Sequence, residues 1–179
     1  MRTKTRKARK NTKKRNFSIK DYNSSDGMLT RIWGPSLWHS LHTISFNYPV
    51  KPRHCDKVTY RNFVLNLQYV LPCGKCRTNF HNNLKELPLK MSHMKSRATF
   101  SRYMYNLHEV VNRMLNKVSN LSYDDVRERY EHFRARCQRN HKIINGENGC
   151  TEPINGKKKK CILTVVPDDK KCPSFKEEA

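Results

Sequence analysis

Leu71-Pro72-Cys73-Gly74-Lys75-Cys76 is the stretch from which the rest of the chain can be read. Pro72 disfavours helical geometry at Leu71, so a helix arriving from the N-terminal side stops there. A new helix starting near Cys73 turns its unpaired amide N–H groups and positive dipole end towards the sulfurs. Lys75 adds a cation. These conditions lower a thiol pKa, and the thiolate is the reactive form. Three chemistries compete for a Cys-x-x-Cys pair: half of a zinc site, a thioredoxin-like pair, and a redox disulfide carried by a helical domain. Zinc needs two more soft ligands. His81, Cys137 and His141 are candidates, but there is no second Cys-x-x-Cys. A thioredoxin-like pair follows a strand, whereas both flanks here read as helix.

On the N-terminal side, Val58 to Leu71 carries Tyr60, Phe63, Val64, Leu67, Tyr69, Val70 and Leu71 on a wide apolar face. Before it, Ile32 to Phe46 repeats Trp33, Leu37, Trp38, Leu41, Ile44 and Phe46 at helical spacing, with Gly34-Pro35 in its first turn. Tyr48-Pro49-Val50-Lys51-Pro52 stops it. On the C-terminal side, Gly74 to Leu87 is helical through Phe80 and Leu84, and Pro88 closes it. Ser96 to Lys117 follows, with a stripe of Phe100, Tyr103, Met104, Leu107, Val111, Met114 and Leu115. Ser122-Tyr123-Asp124-Asp125 reads as a cap for a helix through Val126, Tyr130 and Phe133 to about Cys137. Short loops between such helices predict an all-α antiparallel four-helix bundle plus a short fifth helix. Beyond Asn140 come Asn145-Gly146, Asn148-Gly149 and Asn155-Gly156 turns. Cys161 to Val166 reads as a short strand, and the C-terminal extension is read as irregular or as a small hairpin that pairs this strand across Asn155-Gly156 with Cys150 to Ile154. Residues 168–179 read as frayed. The expected division is a basic disordered tail over 1–27, a helical domain over 28–140, and a Cys-containing extension over 141–179.

The formal net charge is +22, and ten Lys or Arg fall within residues 1–20, where there is no acid. That arm reads as solvated and disordered, with nonspecific nucleic-acid contact or a nuclear address as its functional overlays. No apolar run approaches a membrane span, and no secretory signal follows the basic start. The sequence nevertheless holds seven cysteines: Cys55, Cys73, Cys76, Cys137, Cys150, Cys161 and Cys172. Without a secretory signal, such usage points to metal or redox chemistry more than to a passive scaffold.

The neighbours of the dithiol narrow the choice. Trp38, His42 and Phe46 share one helix face, and His108, Asn112 and Leu115 share another. A lone His or a Trp/Phe stripe is ordinarily packing. Two such faces beside a dithiol describe a slot for a flat, partly polar aromatic ligand. Trp33-Gly34-Pro35-Ser36-Leu37-Trp38-His39-Ser40-Leu41-His42-Thr43, followed by Tyr48-Pro49, resembles the opening helix of the Erv/ALR family of FAD-linked sulfhydryl oxidases. Pro72-Cys73-Gly74-Lys75-Cys76 stands at the spacing of that family's redox pair. His108 to Lys117 is similar to its His-Asn-x-Val-Asn-x-x-Leu-Gly-Lys motif, and Tyr123 to Tyr130 resembles the segment that follows. The short form with a basic tail looks most like members carried by large DNA viruses.

The resemblance covers residues 30–137 and implies FAD in the mouth of the bundle and a homodimer. It carries FAD-contacting roles onto Trp38, His42, His108, Asn112 and Lys117. Gly34 matches the glycine of the first motif, and Tyr130 stands where the family has Trp. Phe46 joins the set from helix spacing. Pro35, Glu109 and Asn116 depart from the family's Arg, Asn and Gly. The family pattern also implies that a substrate dithiol attacks Cys73, that Cys76 faces the flavin, and that O₂ becomes hydrogen peroxide. Dithiol proteins and O₂ are then the partners, with no membrane and no metal. The expected place is a host cytoplasm, a viral factory or a virion, with the nucleus allowed by the basic arm. Cys55, Cys137, Cys150, Cys161 and Cys172 are candidates for a shuttle pair or a structural staple. The competing function is a zinc-stabilised basic nucleic-acid-binding module.

Overall fold

The computed structural model describes residues 18–23, 27–136, 149–158, 160–162 and 165–166. Its elements are α1 (Ile19–Tyr22), α2 (Thr30–Phe46), α3 (His54–Val70), α4 (Gly74–Glu86), a 3₁₀ turn (Met91–Met94), α5 (Arg97–Met114), α6 (Tyr123–Glu131), β1 (Ala135–Arg136) and β2 (Glu152–Pro153). Helices α2 to α5 make the bundle: α2 packs on α5, α3 on α4, and α4 on α5. Helix α6 lies against α2 and α5.

The core is built where the apolar stripes meet. Leu41 of α2, Val64 and Leu67 of α3, Phe80 of α4, and Phe100, Met104 and Leu107 of α5 are all buried in one cluster. Tyr48 pins the loop after α2. It is fully buried, donates its hydroxyl to the Met94 carbonyl at 3.0 Å, and meets Tyr60 edge-on. Ser122 caps α6 as expected: its Oγ accepts from the Asp125 amide at 3.2 Å, and Asp125 Oδ2 accepts from the Ser122 amide at 2.7 Å.

Three boundaries differ from the sequence reading, each for a local reason. Helix α3 starts at His54 rather than Val58, because the Asp56 carboxylate accepts from the Arg53 amide at 2.9 Å and closes its first turn. Helix α5 ends at Met114 rather than Lys117. Asn116 turns to a φ of 52°, and the Lys117 amide reaches back to the Asn112 carbonyl at 2.8 Å, a Schellman ending. Met114 and Leu115 are thereby exposed, while Val110 is buried. Helix α6 ends at Glu131, where Arg134 pairs with Glu131 and donates to the Phe46 carbonyl at 2.6 Å, drawing the chain out of helix.

The expected hairpin is also replaced. Glu152–Pro153 pairs antiparallel with Ala135–Arg136, in the register Ala135–Pro153 and Arg136–Glu152, and not with the described residues of the 161–166 stretch. Four successive lysines at 157–160 separate the two expected strands, and one of them, Lys158, pairs with Glu152 of β2 at 3.4 Å. The backbone of 135–136 offers a partner without them. On α3, Tyr69 and Val70 are 71% and 68% exposed, so the wide apolar face is only partly spent on the core of one chain.

Candidate active site

The redox loop forms where one helix stops and the next starts. Leu71 leaves α3 with a ψ of 133°, and Cys73 stands extended at the N-cap of α4. Cys73 and Cys76 are joined by a disulfide with their Cα atoms 5.1 Å apart. Cys73 Sγ accepts from the Cys76 amide at 3.2 Å, so the sulfur itself caps the helix. Arg77 donates to the Leu71 carbonyl at 2.6 Å and adds a cation beside Lys75. Cys76 packs on the main core, as do Trp33, Leu37 and Trp38.

A short strap from the N-terminal side holds this loop. Gly27 forms an antiparallel bridge with Cys73, and the Met28 amide donates to the Pro72 carbonyl at 2.7 Å. Gly27 has a φ of +95°, and a Cβ there would stand 2.4 Å from the Pro72 oxygen and 2.7 Å from Cys73 Cα. Only glycine satisfies both conditions. The Trp33 indole N–H donates to the Met28 carbonyl at 3.0 Å, and Thr30 Oγ1 lies 3.6 Å from Cys76 Sγ.

The second part is a cluster of rings between α2, α5 and α6. Trp38 stacks on His108 with centroids 4.0 Å apart and planes within 5°. His42 Nε2 and His108 Nδ1 share a hydrogen bond of 3.0 Å. Tyr130 stacks on Phe46 at 5.4 Å and its hydroxyl meets His39 Nδ1 at 3.1 Å. Burial lowers the His42 pKa to about 3, with His108 and His39 adding to the effect. Burial lowers that of His108 to about 4, helped by the charge of Lys117. Burial raises the Tyr130 phenol to about 12. All three rings are therefore neutral near pH 7. His42 Nδ1 is buried with no hydrogen-bond partner among the described residues. Buried polar atoms normally have one, so this nitrogen marks a place for a polar group.

A cleft of about 120 Å³ opens beside these rings, with His42, His108, Asn112 and Tyr130 in its walls together with Tyr105 and Arg129. It shares Glu109 and Ser119 with a wider surface groove of about 550 Å³ that carries Lys117 and Arg113. Asn112 donates to Glu109 Oε1 at 3.0 Å. Of the residues singled out in the sequence, four meet in the cleft, Lys117 stands in the groove, and Trp38 covers His108. Phe46, 3% exposed, lies against Tyr130 and Tyr123, away from the cleft walls. Gly34 is buried inside α2. His39, Tyr105 and Gly27 were not legible as site residues, although Asp26-Gly27 is a turn signal. Among the described residues no three His, Cys, Asp or Glu side chains gather as a metal-binding group. Cys55 and Cys161 are exposed free thiols and Cys150 is disulfide-bonded. Cys137 and Cys172 lie outside the described residues.

A helical bundle with a dithiol at a helix start beside neutral, stacked imidazoles matches known proteins. The model of the Erv1 / Alr family covers residues 35–134, more than half of the chain. The chain belongs to the Erv1 / Alr family. A probable FAD-linked sulfhydryl oxidase of Acanthamoeba polyphaga mimivirus is 36% identical over 85 residues, covering 48% of this chain and 59% of that protein. A putative FAD-linked sulfhydryl oxidase of Invertebrate iridescent virus 6 is 31% identical over 90 residues, covering 48% of this chain and 81% of that protein. The crystal structure of the FAD-binding domain of Erv1 from Saccharomyces cerevisiae superposes with a TM-score of 0.52 at 25% identity, covering 57% of this chain and 94% of that one. The chain thus spans just over half the length of the mimivirus relative and most of the iridescent virus one. The Erv1 / Alr fold agrees with the all-α reading, and the ring cluster lies inside the matched region.

Proposed function

We propose that this Erv1 / Alr chain is a FAD-linked sulfhydryl oxidase that makes disulfides in dithiol proteins at the expense of O₂. The observation that carries the reading is the Cys73–Cys76 disulfide at the start of α4, on the same bundle as a cluster of neutral stacked rings. The residues fit the cofactor named in the relatives. Trp38, His108 and Tyr130 are flat rings for a flat ligand, the unpartnered His42 nitrogen awaits a polar group, and Asn112 lines the cleft. Lys117 in the adjoining groove is the cation for a pyrophosphate. Phe46 holds Tyr130. FAD, when bound, supplies the two-electron transfer to O₂ and the release of peroxide, which thiols alone perform slowly.

The chain's own residues do the sulfur chemistry. A substrate thiolate attacks Cys73 Sγ, forms a mixed disulfide, and releases Cys76 as the thiolate. The second substrate thiol attacks its partner sulfur and expels Cys73. That leaving sulfur takes the Cys76 amide hydrogen bond, which stabilises its negative charge. The net change is one substrate disulfide formed and the enzyme pair reduced. Neutral His42 and His108 keep the ring cluster uncharged while this occurs.

Residues 28–140 are the proposed catalytic domain, flanked by the basic arm and the Cys-containing extension. The exposed Tyr69 and Val70 of α3 support a homodimer. The viral relatives support a viral origin. The test is direct. Purified protein should absorb near about 450 nm, the flavin band, and consume O₂ only when a dithiol is supplied. Cys73→Ser and Cys76→Ser should stay yellow and lose that uptake. A colourless protein, or full uptake in either variant, overturns the proposal.

A further inference from the structure

The two sulfurs do not share one set of hydrogen-bond donors. The helix-start amide of Cys76 points at Cys73 Sγ, at 3.2 Å. It does not serve Cys76 Sγ, the sulfur that the exchange releases first. The side-chain hydroxyl that reaches that sulfur comes from another element: Thr30 Oγ1, first residue of α2, at 3.6 Å from Cys76 Sγ. The N-cap of α2 is Leu29, so Thr30 stands one position inside the helix rather than at the cap that threonine commonly fills. The strap fixes the same end of α2: Gly27 bridges Cys73, Met28 donates to Pro72, and Trp33 donates to Met28.

We propose that Thr30 is a catalytic hydrogen-bond donor, turning its O–H to Cys76 Sγ when the disulfide opens and holding that sulfur as the thiolate. No bond other than the disulfide is broken, and the proton lost by the substrate thiol goes to solvent. The inference rests on the proposed sulfhydryl exchange, but its test does not need FAD or O₂. The charged residues next in sequence to Cys76 and Thr30 are Lys75 and Arg77 on α4 and Arg31 on α2. The last turn of α3 carries one titratable side chain, the Tyr69 phenol, and Arg113 near the end of α5 is paired with Glu86 in the last turn of α4, away from Cys76. None of these changes between the variants.

In full-length Cys73→Ser protein, the rate of iodoacetamide alkylation of Cys76 is followed against pH by mass spectrometry of the Cys76 peptide. Adding Thr30→Val, which keeps the shape and removes the donor, should raise the midpoint of that profile by about half a unit to one unit. Thr30→Ser should keep the midpoint of the parent. A Thr30→Val profile that superposes on the parent overturns the proposal. So does a Thr30→Ser shift equal to that of Thr30→Val, which would mark a packing role. Circular dichroism of each variant separates either result from misfolding, because Thr30 is exposed and lies outside the core. Failure of the oxidase reading would show instead as missing colour or missing oxygen uptake in the unmodified chain.

Discussion

Replacing Gly27 by Ala sets the strength of the strap against the redox loop. At a φ of +95° an L-residue with a side chain costs about 1–2 kcal/mol. The added Cβ also stands 2.4 Å from the Pro72 carbonyl oxygen, on backbone that cannot swing aside like a side chain. The 2.7 Å bond from the Met28 amide to that oxygen must lengthen or break, a further loss of about 1 kcal/mol. Together these weaken the strap by about 2–3 kcal/mol, or roughly 30- to 150-fold in its opening equilibrium at about 1.4 kcal/mol per tenfold. The assay is amide hydrogen exchange at Met28 by NMR, which reads local opening. The denaturant midpoint should move less, because opening the strap uncovers little of the bundle core. Gly149→Ala is the control: its φ is +116°, yet among the described residues nothing lies within 4 Å of its Cβ position, so it bears the conformational cost alone. Unchanged Met28 protection in Gly27→Ala would refute the reasoning.

Other changes test the bundle and the ring cluster. Tyr48→Phe removes the donor to the Met94 carbonyl inside a fully buried site, so urea denaturation should show a loss of about 1–2 kcal/mol. Asn116→Val should lower stability by about 1–2 kcal/mol and Asn116→Gly should not, because the position is left-handed. His42 and His108 are held neutral, with pKa values of about 3 and 4 against 6.5 in an unfolded chain. Below pH 6.5 the unfolded chain takes up protons that the folded one refuses. Stability is therefore full above that pH and falls as the pH drops from 6.5 towards 4. A His42→Gln, His108→Gln double variant should flatten that part of the denaturant-midpoint profile; an unchanged slope would contradict the burial argument.

The helices were legible in the sequence because their apolar stripes are spent on one shared core. Phe100, Tyr103, Met104 and Leu107 recur at helical spacing and are all buried. The stripe misled where it ran past a backbone event: Asn116 ends α5 before Met114 and Leu115 can be covered. His42, His108 and Asn112 could be placed on faces from spacing alone. Their meeting with Tyr130 in one cleft depends on how α6 docks, which no local pattern encodes. The strap was hidden for the same reason: Gly27 and Thr30 meet Cys73 and Cys76 across 46 residues of sequence. The pairing of 135–136 with 152–153 likewise depends on a return of the chain that turn residues do not specify.

The bond from Met28 to Pro72 puts the entry to α2 in mechanical series with the cysteine loop. A tether, a fused tag or a bound macromolecule fastened ahead of Gly27 pulls on that loop before it pulls on the buried helices. Load at this end of the chain is thereby transmitted to the sulfur that a substrate attacks, while the hydrophobic bundle stays at rest.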